Sequence, residues 1–201
     1  MELCEDVWAP EPPSTRLTLA GADIIFNLSA SDELIGKHDY LCQLLSSTSA
    51  RALSGYVYAS SGFGESTQDA VYGGNALIYE NGKLIVQSER FSFEPQMVVS
   101  QIDYERLRSE RRTNTTFVNA QRTAYKDGDI RWVDCHCITP KEFQLVREVS
   151  PTPFIPHAND ITASCNEIFS IQVAGLAKRL VHTQLCVNNR VQTNFMLGET
   201  V

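Results

Sequence analysis

Residues 22–92 carry the strongest architectural signal in the chain. ADIIFNLSA (22–30) is a short apolar run, rich in β-branched and aromatic side chains, that ends in a polar loop, as a buried strand does. Residues 32–54, DELIGKHDYLCQLLSSTSARALS, then place Leu41, Leu44, Leu45, Ala52 and Leu53 at helical spacing. Asp32 is the expected N-cap of this helix, and Gly36 weakens its first turn. GYVYASSG (55–62) reads as a second strand leading into the Gly- and Ser-rich loop GFGEST. VYGGNALIYENGKLIVQSERFS (71–92) follows as a β-meander with Asn81-Gly82 as its hairpin turn, because that dipeptide supplies the positive φ angles a tight hairpin needs. Strand, helix, strand and meander in this order predict an α/β (α+β layered) domain and exclude an all-helical one.

The remainder is less regular. MVVSQID (97–103) is expected as a strand, and YERLRSERR (104–112), whose arginines are interleaved with glutamates, as a solvated helix. After Thr113 long apolar runs thin out; the turn Lys126-Asp127-Gly128 leads to IRWVDCHCI (130–138), another expected strand. PTPFIPHAND (151–160) holds three prolines in six residues and reads as a linker. CNEIFSIQVAGLAKRLVHT (165–183) is expected to be an amphipathic helix with Ile168, Ile171, Val173, Leu176 and Leu180 largely on one side. QLCVNNRVQTNFMLGETV (184–201) has weak periodicity and is expected to fray. The predicted organisation is therefore 1–112 as the main body, 113–183 as its end and a connector that carries helix 165–183, and 184–201 as a divergent tail.

Composition narrows the function classes. A formal charge of −7 argues against a nucleic-acid partner, since phosphate binding needs a basic face. No apolar run approaches the roughly 20 residues that span a bilayer, and no signal-type start is present, so a cytoplasmic location without membrane contact is expected. Six cysteines, at positions 4, 42, 135, 137, 165 and 186, are read as reduced thiols for the same reason. Cys135-His136-Cys137 lacks the two-residue spacers of structural zinc sites, and no metal site is expected.

Cys4 is the residue whose chemistry is open. A free thiol is mostly protonated at neutral pH and acts as a nucleophile only with a base, a cation or a helix N-terminus to activate it. Glu5 and Asp6, which follow it, have the wrong charge to stabilise a thiolate, so the residues alone favour a buried structural cysteine. The order of motifs along the chain alters that balance. CEDVWAP, LTLAGADIIFNLSAS, IGK and GFGESTQDAVYGGNALIYENG together resemble the nitrilase-like (carbon-nitrogen hydrolase) glutaminase domain of glutamine-dependent NAD synthetases. PFIP and EIFSIQVAGLAKRL resemble the segment that joins that glutaminase to the ATP-dependent synthetase domain, so the resemblance covers roughly residues 2–183.

The resemblance implies part of an α-β-β-α nitrilase-like sandwich and a cysteine that attacks the amide of glutamine. A glutamate then serves as general base and acid, a lysine steadies the oxyanion, and ammonia passes to the synthetase domain for amidation of nicotinic acid adenine dinucleotide to NAD. Carried onto this sequence, Cys4 matches the nucleophile, Glu5 a residue that orders its turn, and Trp8 an aromatic of the glutamine pocket. Ser31 of NLSAS and Lys37 of IGK match contacts to the amino-acid end of the substrate, where a hydroxyl and a cation suit a zwitterion. The plainer readings are a helix-start serine and a solvated lysine. Glu65 in GFGEST is a candidate for active-site support or simply part of a structural loop; the loop lacks the P-loop lysine, so no phosphate site is expected there.

The family's base glutamate and oxyanion lysine precede its cysteine, as do the first strands of its sandwich, and neither residue is assignable here. The synthetase signature SGG-x-DS would follow GLAKRL, where 184–201 stands instead. The expectation is a partial sandwich lacking the N-terminal strands, inactive or weakly active alone, with no cofactor of its own; ATP and magnesium belong to the synthetase domain. Glutamine, a synthetase domain or subunit, and further copies of the chain are the expected partners. The alternative is a noncatalytic or complementing scaffold subunit that depends on a partner chain.

Overall fold

The computed structural model describes residues 1–65, 69–124, 130–136, 142, 144–152, 155 and 161–183. The chain divides into two compact units, Met1–Arg147 and Glu148–Val201. In the first, five strands form one mixed sheet in sequential order: β1 (Glu2–Leu3), β2 (Ile24–Ser29), β3 (Gly55–Ser60), β4 (Ala76–Glu80) and β5 (Lys83–Gln87). β1, β2 and β3 run parallel, and β4 and β5 run antiparallel to their neighbours. Parallel neighbours require crossover connections. The first contains a 3₁₀ turn, Cys4–Trp8, and α1 (Pro13–Leu19); the second contains α2 (Lys37–Arg51). The expected α/β layering is thus present. At the hairpin, Asn81 and Gly82 both take positive φ, 47° and 82°, as a primed turn demands.

Strand alternation separates two faces of the sheet. Register aligns Ile25, Tyr56 and Tyr79, and in the next row of that face Asn27, Tyr58 and Leu77. All six are buried, and the apolar ones pack with Val7 and with Leu41 and Leu45 of α2. The opposite face is also apolar, yet Leu3, Phe26 and Leu28 remain 54%, 51% and 54% exposed. Apolar residues on both faces are what a sheet inside a layered stack presents.

α3 (Tyr104–Thr113) and α4 (Thr115–Ala124) complete the first unit. Asp103 caps α3 by accepting from the Arg106 amide at 2.9 Å. The expected solvated helix is only partly so. Arg111 is 7% exposed and donates to the carbonyls of Ala22, Ala52 and Leu53, while Arg108 and Arg111 both pair with Asp23. Two of those carbonyls end α2, where backbone acceptors lack partners within the helix.

Several elements differ from expectation. α2 starts at Lys37, not near Asp32, because Gly36 takes a left-handed conformation (φ 79°) that caps the helix there. Residues 97–103 are not in the sheet; Ile102 lies on Gly55, where a Cβ would sit 2.7 Å from its Cδ1. Residues 130–136 are irregular: Trp132 is 71% exposed, His136 has φ 47°, and among the described residues no strand pairs with them. In the second unit α5 (Ile161–Thr183) begins before residue 165. At 3.6 residues per turn its apolar positions spread over roughly 200° of the circumference, wider than a single stripe. The turn at 126–128, Cys137, Cys186, most of 151–160 and the tail 184–201 lie outside the described residues.

Candidate functional site

β1 is only two residues long and delivers Cys4 at the carboxyl end of the sheet. Cys4 takes φ 43°, a left-handed backbone conformation rare for a residue with a Cβ, and opens the 3₁₀ turn. A strand passing through a strained residue into a helical turn projects that side chain outward, the geometry of a nucleophile elbow. Five hydrogen bonds frame it. Asp6 accepts from the Leu3 amide at 2.8 Å and closes the turn, a role expected of Glu5, whose side chain is exposed. Asn27 Nδ2 reaches the Cys4 carbonyl at 3.4 Å. Ser29 Oγ reaches the Cys4 Sγ at 3.4 Å. Below them Glu2, 2% exposed, accepts from the Tyr56 hydroxyl and from the Ser14 amide at 2.8 Å, at the N-terminus of α1. Burial, then the Glu2 carboxylate, push the Tyr56 phenol far above its ordinary range, so it remains a protonated donor.

The thiol faces a cavity of about 300 Å³ lined by Cys4, Glu5, Trp8, Ala30, Ser31, Asp32 and Lys37. Five of the six residues singled out from sequence therefore meet here. Glu65 does not; it is exposed in the loop after β3 and is absent from the described lining. Lys37 Nζ donates to the Asp32 carbonyl and carboxylate, both at 2.7 Å, and sits 5.7 Å from the centre of the Trp8 ring. An ammonium has three protons, so one remains for a ligand. Lys37 holds the Asp32 carboxyl below its ordinary range. Trp8 in turn leans on Tyr40, with ring centroids 5.5 Å apart. A wall carrying both charge signs around a thiol suits a small zwitterion.

Beside the cavity Glu33 is gripped by Arg90 at 2.8 Å and by Asn75 Nδ2 at 2.6 Å, and it lies directly over Gly73. This fastens the loop between β3 and β4 to the loop that carries Ser31. Ser29, Asn27, Glu2, Tyr56 and Glu33 also shape the site, and no motif in the sequence singles them out. Alternation along β2 does put Asn27 and Ser29 on one face, but β1 is too short to read, so nothing in the sequence says that this face meets Cys4. Among the described residues no group of three or more His, Cys, Asp and Glu is arranged to hold a metal, and no helix is long and apolar enough to cross a membrane. Cys4, Cys42, Cys135 and Cys165 are free thiols.

No protein-family model matches the chain. Over 183 residues it is 40% identical to the glutamine-dependent NAD(+) synthetase of Mycobacterium tuberculosis, covering 90% of this chain and 27% of that protein. It is 28% identical over 160 residues to the enzyme of that name from Arabidopsis thaliana, covering 78% and 21%. Among solved structures, the glutamine-dependent NAD+ synthetase of Acinetobacter baumannii aligns at TM-score 0.41 and 24% identity, over 45% of this chain and 17% of that one. A carbon-nitrogen hydrolase from Helicobacter pylori G27 aligns at TM-score 0.49 and 17% identity, over 58% and 43%. The chain spans about a quarter of the length of the synthetases it matches in sequence. By sequence it is a relative of the glutamine-dependent NAD(+) synthetases, similar to one stretch of those proteins.

Proposed function

We propose that this chain carries the nucleophile and the substrate pocket of a nitrilase-like glutamine amidohydrolase that feeds ammonia to NAD synthesis. The observation that supports it best is the strained Cys4 facing a cavity that also holds Trp8, Ser31 and Lys37. Its volume lies at the lower end of small-ligand sites, about 300–1,000 Å³. In this reading Lys37 and Ser31 take the α-carboxylate of glutamine, Glu5 and Asp32 face its α-ammonium, and Trp8 packs on the aliphatic stem. Cys4 Sγ attacks the side-chain amide carbon, the tetrahedral intermediate expels ammonia, and water cleaves the resulting thioester to glutamate.

The hydrogen-bond partner of Sγ among the described residues is a hydroxyl, Ser29, which is no general base. The base and the oxyanion cation then come from outside the described residues, and these residues by themselves turn glutamine over slowly or not at all. The apolar sheet face of Leu3, Phe26 and Leu28 suits the second sheet of a nitrilase-like sandwich, which would bring those groups. ATP and magnesium act at the synthetase domain, and we place the assembly, self-associated, in the cytoplasm.

The test is ammonia release from glutamine by the purified chain, wild type against Cys4→Ala. It is then repeated with a polypeptide bearing the nitrilase-type glutamate and lysine. Cys4-dependent release that rises sharply on that addition is the expected result. Equal release by Cys4→Ala would sink the assignment of the nucleophile. Full Cys4-dependent turnover by the chain alone would refute the external base.

A further inference from the structure

We propose that Ser29 is a catalytic hydrogen-bond donor to the Cys4 sulfur and that Tyr58 is the positioning residue that aims it. This rests on the reading of Cys4 as nucleophile. Ser29 ends β2, and alternation puts it on the same buried face as Asn27, whose amide holds the Cys4 carbonyl. Tyr58 pairs with Asn27 in register on β3, points to that face, and is 1% exposed. Its hydroxyl lies 2.9 Å from Ser29 Oγ, which in turn lies 3.4 Å from Cys4 Sγ.

The direction of this chain follows from proton counting. Burial raises the Tyr58 phenol, so it keeps its proton and has one to give. Ser29 has one proton and two lone pairs. Accepting from Tyr58 occupies a lone pair and leaves the serine proton directed at sulfur. Tyr58 cannot swing away, because its ring is packed in the core with Val7, Ile25 and Leu77. Two donors in series polarise one another, and a hydrogen bond to an ionised acceptor is roughly twice as strong as one to a neutral acceptor. Ser29 therefore binds the thiolate better than either the thiol or the thioester sulfur. It raises the share of attacking thiolate, and it stabilises the same sulfur when it leaves on thioester hydrolysis. No proton passes along the chain: Ser29 and Tyr58 begin and end protonated.

The experiment measures the alkylation rate of Cys4 by iodoacetamide in the full chain at neutral pH, resolved by peptide mass spectrometry. Cys165, exposed on α5, is the internal control. A weaker donor lowers the thiolate fraction but makes each thiolate somewhat more reactive, so Ser29→Ala is expected to slow Cys4 about three- to tenfold. Tyr58→Phe slows it about twofold, and Ser29→Thr, which restores a hydroxyl, returns it to within about twofold of wild type. Cys165 keeps its rate in every variant.

Ser29→Ala alkylating as fast as wild type, or faster because the thiol is less crowded, would overturn the inference. So would Ser29→Thr as slow as Ser29→Ala, since bulk rather than the donor would then matter. Labelling by a diazoketone analogue of glutamine, with protection by glutamine, separates this from the proposed function. Loss of protected labelling with the Ser29 effect intact removes the glutaminase reading alone. Protected labelling with no Ser29 effect removes only the role of Ser29.

Discussion

Tyr56→Phe removes one buried hydroxyl at the base of the elbow. The ring of Tyr56 is fully buried and its hydroxyl donates to Glu2, which is 2% exposed, while accepting from Asn27 Nδ2 at 3.2 Å. Phenylalanine keeps the ring and its packing and deletes only the hydroxyl, the donor to Glu2 and the acceptor for Asn27. One Glu2 oxygen then keeps the Ser14 amide, and the other is left buried without a partner. A hydrogen bond to a charged group contributes about 1.5–3 kcal/mol, so the expected loss is about 2–3 kcal/mol, a large share of the ~5–15 kcal/mol of an ordinary domain. In urea titrations followed by circular dichroism, with slopes of about 1–3 kcal/mol per molar, the midpoint should fall by roughly 1–2 M. Tyr58→Phe is the matched control: it removes a bond to a neutral serine and should cost about 1 kcal/mol. Replacing both ends of the Tyr56 contact, Glu2→Leu with Tyr56→Phe, should cost less than the two single changes added, because no charge is left unpaired. A Tyr56→Phe protein no less stable than Tyr58→Phe would refute the idea that Glu2 depends on this donor.

Burial is the first cause of a raised phenol in Tyr56, Tyr58 and Tyr79; the unfolded chain releases these protons near pH 10 while the folded one retains them. The stability they confer is thus complete below about pH 10 and is lost above it, by up to about 1.4 kcal/mol per pH unit for each tyrosine, a slope that alkaline urea titrations read directly. Arg111→Met should cost about 3–5 kcal/mol, since it strips one buried and two part-buried carbonyls of their donor and takes one arginine from Asp23; a loss under about 1 kcal/mol in thermal unfolding would show those carbonyls satisfied otherwise. Gly73→Ala sets a Cβ into the Glu33 carboxylate, so it should break the Arg90 contact and, on the proposed function, weaken the protection of Cys4 by glutamine, while thiol alkylation at Cys4 without glutamine keeps its rate.

The sheet was legible because its signals are local. Two apolar runs around a helix, and a dipeptide whose positive φ angles force a hairpin, need no knowledge of the rest of the chain. The departures arise where tertiary partners decide. MVVSQID has the composition of a strand, but among the described residues no strand pairs with it, and Ile102 covers Gly55 instead. YERLRSERR has the composition of a solvated helix, but the carbonyls at the end of α2 draw Arg111 inward. α1 leaves no mark in the sequence because seven residues starting at Pro13 offer almost no periodicity, and its N-terminus is satisfied from outside by Glu2.

The site was half legible for a reason of topology. Cys4 is far in sequence from Ser31 and Lys37, and nothing in that spacing brings them together; the motif order does so by resemblance. What unites them physically is the parallel pairing of β1 with β2, Glu2 beside Asn27 and Leu3 beside Leu28. In parallel strands the carboxyl ends lie at the same edge, so whatever follows each strand meets there, and ligand sites of α/β sheets favour that edge. Cys4 follows β1, and Ala30 and Ser31 follow β2. The same pairing turns Asn27 and Ser29 toward the elbow, one to its carbonyl and one to its sulfur. A two-residue strand leaves no pattern in a sequence, yet it fixes which serine of NLSAS touches the thiol. Ser31 was the one legible from the motif; Ser29 is the one the register selects.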